Sequence, residues 1–210
     1  MNPVSINQIV NTFDDLGYRY FENEPFDLNL VGIRSNDLSA NRFNDLFCLF
    51  YVSDMQMEFF QTACTTDPGL YYRENPMNVE GTALMTPGQH RGAYRRGKHR
   101  GKYEALVQAK PLPHYRVDPD FWERSIMDDS ALNYNESLLL MTVHEKMIGM
   151  NIHRASELSR STRVGKWSAG CQVIADPDIF RLIIRLCDKQ IKAGRGETFT
   201  YTLITEDQIS

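Results

Sequence analysis

Two side chains in the C-terminal third of the chain are of a kind that can do covalent chemistry together. His153 ends the run Gly149-Met150-Asn151-Ile152-His153, and Cys171 opens the run Cys171-Gln172-Val173-Ile174, 171 − 153 = 18 residues later. A thiol attacks as its thiolate and near neutral pH needs a neighbour that takes or balances its proton. Histidine is the usual partner because its ordinary pKa lies close to neutrality. If both runs are strands joined by the loop from Arg154 to Trp167, their ends can bring imidazole and sulfur together. Gly170 leaves a substrate carbonyl room to approach, and main-chain N–H groups at Gly170 and Cys171 are candidates to hold an oxyanion. On this reading Cys171 is an activated thiol with a depressed pKa. Ser168 hydrogen-bonds inside the turn and, with Ala169, supports the oxyanion pocket. Trp167 walls the groove, and His144, Arg154 and Tyr94 complete the candidate substrate contacts. The plain alternative is a buried cysteine acting as a small hydrophobe beside a strand-end histidine with satisfied hydrogen bonds.

The elements that have to position this pair follow from periodicity. Ile6, Ile9, Val10, Phe13 and Leu16 share one helical face and Gly17 supplies a stop, which predicts a helix over 5–16. Leu28–Arg34 reads as a strand, and Phe47–Val52 with Met57–Ala63 as a hairpin, followed by a turn at Asp67-Pro68-Gly69. Residues 70–103, rich in glycine and proline, read as irregular. Tyr103–Ala109 and Pro113–Val117 are short strands, and 118–135 reads as a long acidic loop. Ser137–His144 and Lys146–His153 suggest a second hairpin turning near Glu145. Asp176 as N-cap and Pro177 at the first position open a helix that Gly194 closes, and Thr198–Ile204 is a final strand. The expected class is α+β: a β-rich mixed sheet or sandwich with flanking helices. Residues 1–70 are expected to form a helix-plus-hairpin extension packed on the sheet, and 71–210 the catalytic region.

Composition excludes several classes. The 210 residues carry a formal net charge of −4 with 42% hydrophobic and 24% charged residues, ordinary for a globular protein and not suited to coating a polyanion. No apolar run approaches the ~18 residues of a membrane span. The N-terminus has no basic and apolar leader, so the chain is expected to be made in the cytoplasm with its four scattered cysteines free. No CxxC, HxH or HExxH occurs, so neither His144 with His153 nor any cysteine pair suggests a metal, and no cofactor is expected. Residues 89–102 hold Arg91, Arg95, Arg96, Lys98, Arg100 and Lys102 with no acid. This is a local basic patch, read as a solvated loop or as a flap over the site. Gly92–His99 nearly spells a phosphate-binding loop, but His99 stands where a hydroxyl should bind Mg²⁺.

The segment also resembles the active-site motif of the L,D-transpeptidase catalytic domain, the YkuD-type fold. In that family an Ile-Gly-Ile-His-like strand is followed by Ser/Thr-His-Gly-Cys. Here Ile148-Gly149-Met150-Asn151-Ile152-His153 and Ser168-Ala169-Gly170-Cys171 match in order and spacing, with Thr86-Pro87-Gly88 resembling an upstream Thr-Pro-x-Gly. The resemblance covers roughly residues 80–205. It implies that Cys171 is acylated by a peptidoglycan stem peptide while His153 serves as base. Water would then cleave the peptide, or an amine would cross-link it, and without a leader the setting would be phage lysis or wall penetration. Two positions depart from the pattern: Ala169 replaces the family's second histidine, and Val173 replaces an arginine. The departures keep a second reading open, a catalytically inactive wall-binding or virion structural protein on the same fold. A nucleic-acid binder using residues 89–102 is disfavoured by the overall acidity.

Overall fold

The computed structural model describes residues 1–37, 39–127 and 137–210. Its first helix, α1 (Ile6–Asp15), begins where Ser5 accepts from Gln8 N–H and the Gln8 side chain returns the bond to Ser5 N–H. That reciprocal box satisfies two otherwise orphaned donors. Gly17 then adopts φ +68, which glycine alone takes without strain.

Three strands follow, β1 (Asn29–Arg34), β2 (Asp45–Ser53) and β3 (Gln56–Thr65), with the β2–β3 hairpin in register from Asp45↔Cys64 to Ser53↔Gln56. A short helix α2 (Leu70–Glu74) leads to β4 (Thr82–Met85) and then β5 (Gly88–His99), β6 (Tyr103–Gln108) and β7 (Leu112–Val117). Helix α3 (Pro119–Met127), β8 (His144–Lys146), β9 (Ile152–Arg154), β10 (Gln172–Ile174), α4 (Pro177–Lys192) and β11 (Thr198–Thr205) complete the order, with a 3-10 turn at Glu206–Gln208. Eight of these strands close a barrel in the order β1-β11-β5-β6-β9-β10-β3-β2, and β4-β7-β8 form a separate small sheet. The β1–β11 and β9–β10 pairs are parallel and the other ladders antiparallel, so the barrel is mixed.

Strand alternation divides the apolar residues between two cores. Leu30, Phe47, Leu49, Tyr94, Ile152, Phe199, Tyr201 and Leu203 share one cluster with Phe180, Ile183 and Cys187 of α4. Their strand neighbours Val31, Ile33, Cys48, Phe50 and Ile204 point the other way and pack with Ile9 and Phe13 of α1. Burying about eight such side chains in the larger cluster, at ~1.5–3 kcal/mol each, supplies the main force that closes the sheet. Gly32 has a local reason to be glycine: a Cβ there would lie 1.9 Å from the Tyr201 hydroxyl, which donates across the interior to Gln172 Oε1 at 3.0 Å.

The class is α+β and β-rich, as expected, but several elements differ. The main sheet closes into a barrel rather than a sandwich. The division expected at residue 70 passes through it, since β1–β3 supply three of the eight barrel strands. Residues 70–103 are not irregular: they contain α2, β4 and the twelve-residue strand β5. Glycines and charges hide β5, and its ladder with β11 shifts register between Phe199 and Tyr201, which breaks the period of two. Residues 89–102, read as a solvated loop or a flap, are therefore barrel strand and hairpin turn. The hairpin over 137–153 is also replaced. Glu145 lies inside β8 and pairs with Pro113, while His153 belongs to β9 and runs parallel to β10. Part of the acidic loop is α3, and the rest, 128–135, lies outside the described residues. Among the described residues no helix is long and apolar enough to cross a membrane.

Candidate active site

The nucleophile candidate sits where β10 begins. Gln172 pairs with Ile152 and Val173 with His153, so the parallel β9–β10 ladder sets Cys171 and His153 near one another. The approach to the cysteine is a tight turn. Gly170 has φ +116, and a Cβ on it would lie 2.6 Å from the Ala83 carbonyl oxygen, so both conformation and space require glycine. Ser168 locks this turn: its hydroxyl accepts from Gly170 N–H at 3.2 Å and donates to the Cys171 carbonyl at 2.8 Å. From the barrel interior, Tyr201 holds Gln172 by its Oε1 and Gln172 Nε2 reaches the Gly170 carbonyl at 3.4 Å.

The opposite wall is pinned by one buried amide. Gln108 Oε1 accepts from Ile148, Gly149 and Met150 N–H groups at 3.0–3.1 Å, while its Nε2 donates to Lys110 and Lys146 carbonyls. The held loop presents the Gly149 carbonyl to Cys171 Sγ and the Asn151 N–H to the same sulfur, each at 3.5 Å. Gln108→Ala would strand five main-chain groups. The expected cost is about 3 kcal/mol in chemical denaturation, beyond that of an ordinary surface substitution.

A third group joins the pair. His99, the last residue of β5, stacks on His153 with ring centroids 4.0 Å apart. One ring nitrogen of each histidine and the sulfur of Cys171 lie within 4.8 Å of one another. Hydrogen bonds assign the tautomers. His153 Nδ1 lies 2.7 Å from the Arg154 carbonyl, which can only accept, so Nδ1 carries the proton. The Tyr103 hydroxyl, 3.1 Å from Nδ1, closes that side. Nε2 is left buried without a hydrogen-bond partner and is the nitrogen able to act as base. Asn151 Oδ1 accepts from Gln108 N–H, so its Nδ2 faces His99 Nδ1 at 3.1 Å and donates to it. The His99 proton therefore sits on Nε2, making His99 a donor where His153 is an acceptor.

Electrostatics set the resting charge state. Burial, with the neighbouring His99, pushes His153 down to about 3, and burial with Arg100 pushes His99 down to about 4. Burial pushes the Cys171 thiol up to about 11, against the Asn151 N–H and Arg100, which pull it down. The pair rests as neutral thiol and neutral imidazole, not as the preformed thiolate expected from sequence. Alkylation by iodoacetamide should accordingly be a few hundred-fold slower than for a free thiol at pH 7, because ~2.5 pH units separate the two thiols. Its rate should climb about tenfold per pH unit from 7 to 9. A plateau below pH 8 would show a thiolate already formed.

The site opens into a groove of about 470 Å³, lined among others by Tyr72, Met77, Trp167 and Ala169. Arg100, Arg116 and Lys166 also line it, and among the described residues no aspartate or glutamate does. Trp167 is 43% exposed, as a groove wall should be. The Cys171 N–H has no hydrogen-bond partner among the described residues, whereas Gly170 N–H is already bound to Ser168. The expected oxyanion role of Gly170 thus narrows to Cys171.

Three expected substrate contacts are not in the groove. Tyr94 is fully buried inside the barrel, because the register of β5 turns it inward. His144 stands on the small sheet against His114, with ring centroids 5.8 Å apart. Arg154 lies over the Tyr103 ring at 4.3 Å and pairs with Glu157, so it braces the tyrosine behind His153. Thr86-Pro87-Gly88 is at the other end of β5 from His99, about 35 Å of extended chain away. Pro87 lines a separate groove with Tyr115 and Leu138. His99 and Gln108 escaped the sequence reading. Each is a polar residue ending a strand, and only the strand pairing shows where its side chain goes. No family model, curated protein or solved structure matches the chain.

Proposed function

We propose that the protein is a cysteine acyltransferase or peptidase of the L,D-transpeptidase type, acting on peptidoglycan stem peptides. The observation that carries the reading is a thiol and two neutral imidazoles within 4.8 Å, with Cys171 and His99 on a groove lined by three cations and, among the described residues, no carboxylate. Such a groove favours an acyl donor that carries carboxylates. The resemblance of Ile148–His153 and Ser168–Cys171 to the family motif supports the same chemistry, and the finer assignment of the barrel to the L,D-transpeptidase type rests on it.

In this reading Cys171 Sγ attacks the peptide carbonyl as its proton passes to His153 Nε2. The C–S bond forms, and negative charge on the carbonyl oxygen is met by the Cys171 N–H and His99 Nε2–H. His153 then gives its proton to the leaving amine, the C–N bond breaks, and a thioester remains. Water or a second amine attacks the thioester, His153 takes the incoming proton, and the thiol is restored. His99 stands in for the imidazole that Ala169 does not supply. Release from a lysing host or carriage in a virion would bring the protein to the wall.

Mass spectrometry of purified muropeptides after incubation tests the proposal. New fragments are expected for hydrolysis, and larger cross-linked or exchanged species for transfer. An unchanged muropeptide profile with folded protein would favour the inactive wall-binding reading.

A further inference from the structure

Two imidazoles and a thiol within 4.8 Å are also the donor set of a borderline-soft divalent ion. We infer that His99, His153 and Cys171 form a Zn²⁺ site that shares the groove floor and keeps its fourth position open to the groove. Uptake of the ion needs no substrate, so the inference stands apart from the acyl-transfer reading. If both hold, the bound ion occupies the nucleophile and silences it.

The arrangement around His153 is what a ligand needs. The residue is 1% exposed, its Nε2 has no hydrogen-bond partner, and its Nδ1–H donates to the Arg154 carbonyl. An outer hydrogen bond of that kind fixes the ring and raises the basicity of the nitrogen that faces the metal. A bound ion would satisfy that unpaired buried nitrogen, whose desolvation is otherwise uncompensated. Both imidazoles already rest in the neutral form that ligates. Zinc bonds of about 2.0–2.3 Å put neighbouring ligand atoms roughly 3.3–3.7 Å apart, so a 4.8 Å separation closes with about 1 Å of side-chain movement.

Proton balance makes the inference specific. Cys171 gives its thiol proton to solvent on binding. His99 Nδ1 is held by Asn151, which leaves Nε2 as its ligand atom, so the proton on Nε2 moves to Nδ1 and the Asn151 amide must turn its oxygen to receive it. That turn takes the acceptor from Gln108 N–H, a cost the ion has to offset. Arg100 also opposes a dication, and the new thiolate charge offsets it. Asn151→Asp removes the conflict, because one carboxylate oxygen serves Gln108 and the other His99 Nδ1–H.

Chelator-stripped protein titrated with Zn²⁺ against a chromophoric chelator, with Co²⁺ as the spectroscopic probe, provides the test. One ion per chain is expected, and the Co²⁺ form should show a thiolate charge-transfer band. Cys171→Ala and His99→Gln should weaken binding by about 100-fold or more, and Asn151→Asp should tighten it by about 10–100-fold. His144→Ala should leave binding unchanged. Circular dichroism checks that each variant is folded. Uptake no tighter than in Cys171→Ala, a Co²⁺ spectrum without the thiolate band, or weaker binding in Asn151→Asp would each overturn the site. Zinc bound through these residues by a protein that turns over no muropeptide would uphold the site and remove the acyl-transfer reading instead.

Discussion

Cys171→Ala is expected to reduce muropeptide turnover by about 10⁴-fold or more while leaving the fold in place. Removing the nucleophile of a residue set that acts as a unit forfeits the covalent route and leaves only binding and oxyanion contacts. The fold should survive because the sulfur's contacts with Gly149 and Asn151 are both long, at 3.5 Å. The turn is held instead by Ser168, Gln172 and the Gly170 conformation, none of which the substitution touches. Turnover assays beside a thermal melt separate the two effects. A large fall in stability would mean that the sulfur is core rather than site.

His153→Gln is the second large effect. Glutamine is of similar length and can still donate to the Arg154 carbonyl, but it offers no basic nitrogen near the sulfur. The rate should fall about 10²–10⁴-fold, the usual contribution of a general base. In the wild type the pH profile carries an independent signature. A base must be neutral to accept a proton, and His153 is held down to about 3, so lowering pH disables it only near that value. At the other end the thiol, pushed up to about 11, stays protonated through the neutral range. The rate is therefore expected to be nearly flat from pH 5 to 9. An acid limb near 6.5, where a solvated histidine titrates, would show that His153 is not the buried base described.

Much of the scaffold was legible because local signals and tertiary packing agree. The apolar spacing of Ile6, Ile9 and Phe13 marks α1, and Asp176 with Pro177 marks a helix start that the structure realises as a cap. The β2–β3 hairpin is a sustained apolar run on either side of Ser53-Asp54, and its register leaves little freedom. The relation of Cys171 to His153 was legible as well, since a glycine-led thiol and an apolar strand ending in histidine are both short-range features.

What escaped depends on partners distant in sequence. The polar strand β5 survives because its neighbours β11 and β6 complete its ladder, and nothing in Arg95-Arg96-Gly97-Lys98 announces that. Missing β5 meant missing His99, and with it the donor imidazole and the third metal ligand. Strands β8 and β9 are three residues each, too short for alternation to distinguish a hairpin from two strands in different sheets. Tyr94 was misassigned for the same reason, because one bulge decides which face of β5 it occupies. The thiol's raised pKa is likewise a matter of burial, and spacing carries no information about it.

Intact-protein mass spectrometry after brief exposure to a stem-peptide substrate addresses the mechanism at its covalent step. A thioester on Cys171 is expected, with the added mass of the acyl fragment, released by hydroxylamine and missing in Cys171→Ala. Substrate turned over by wild type and Cys171→Ala alike, with no acyl adduct at residue 171, would contradict the account.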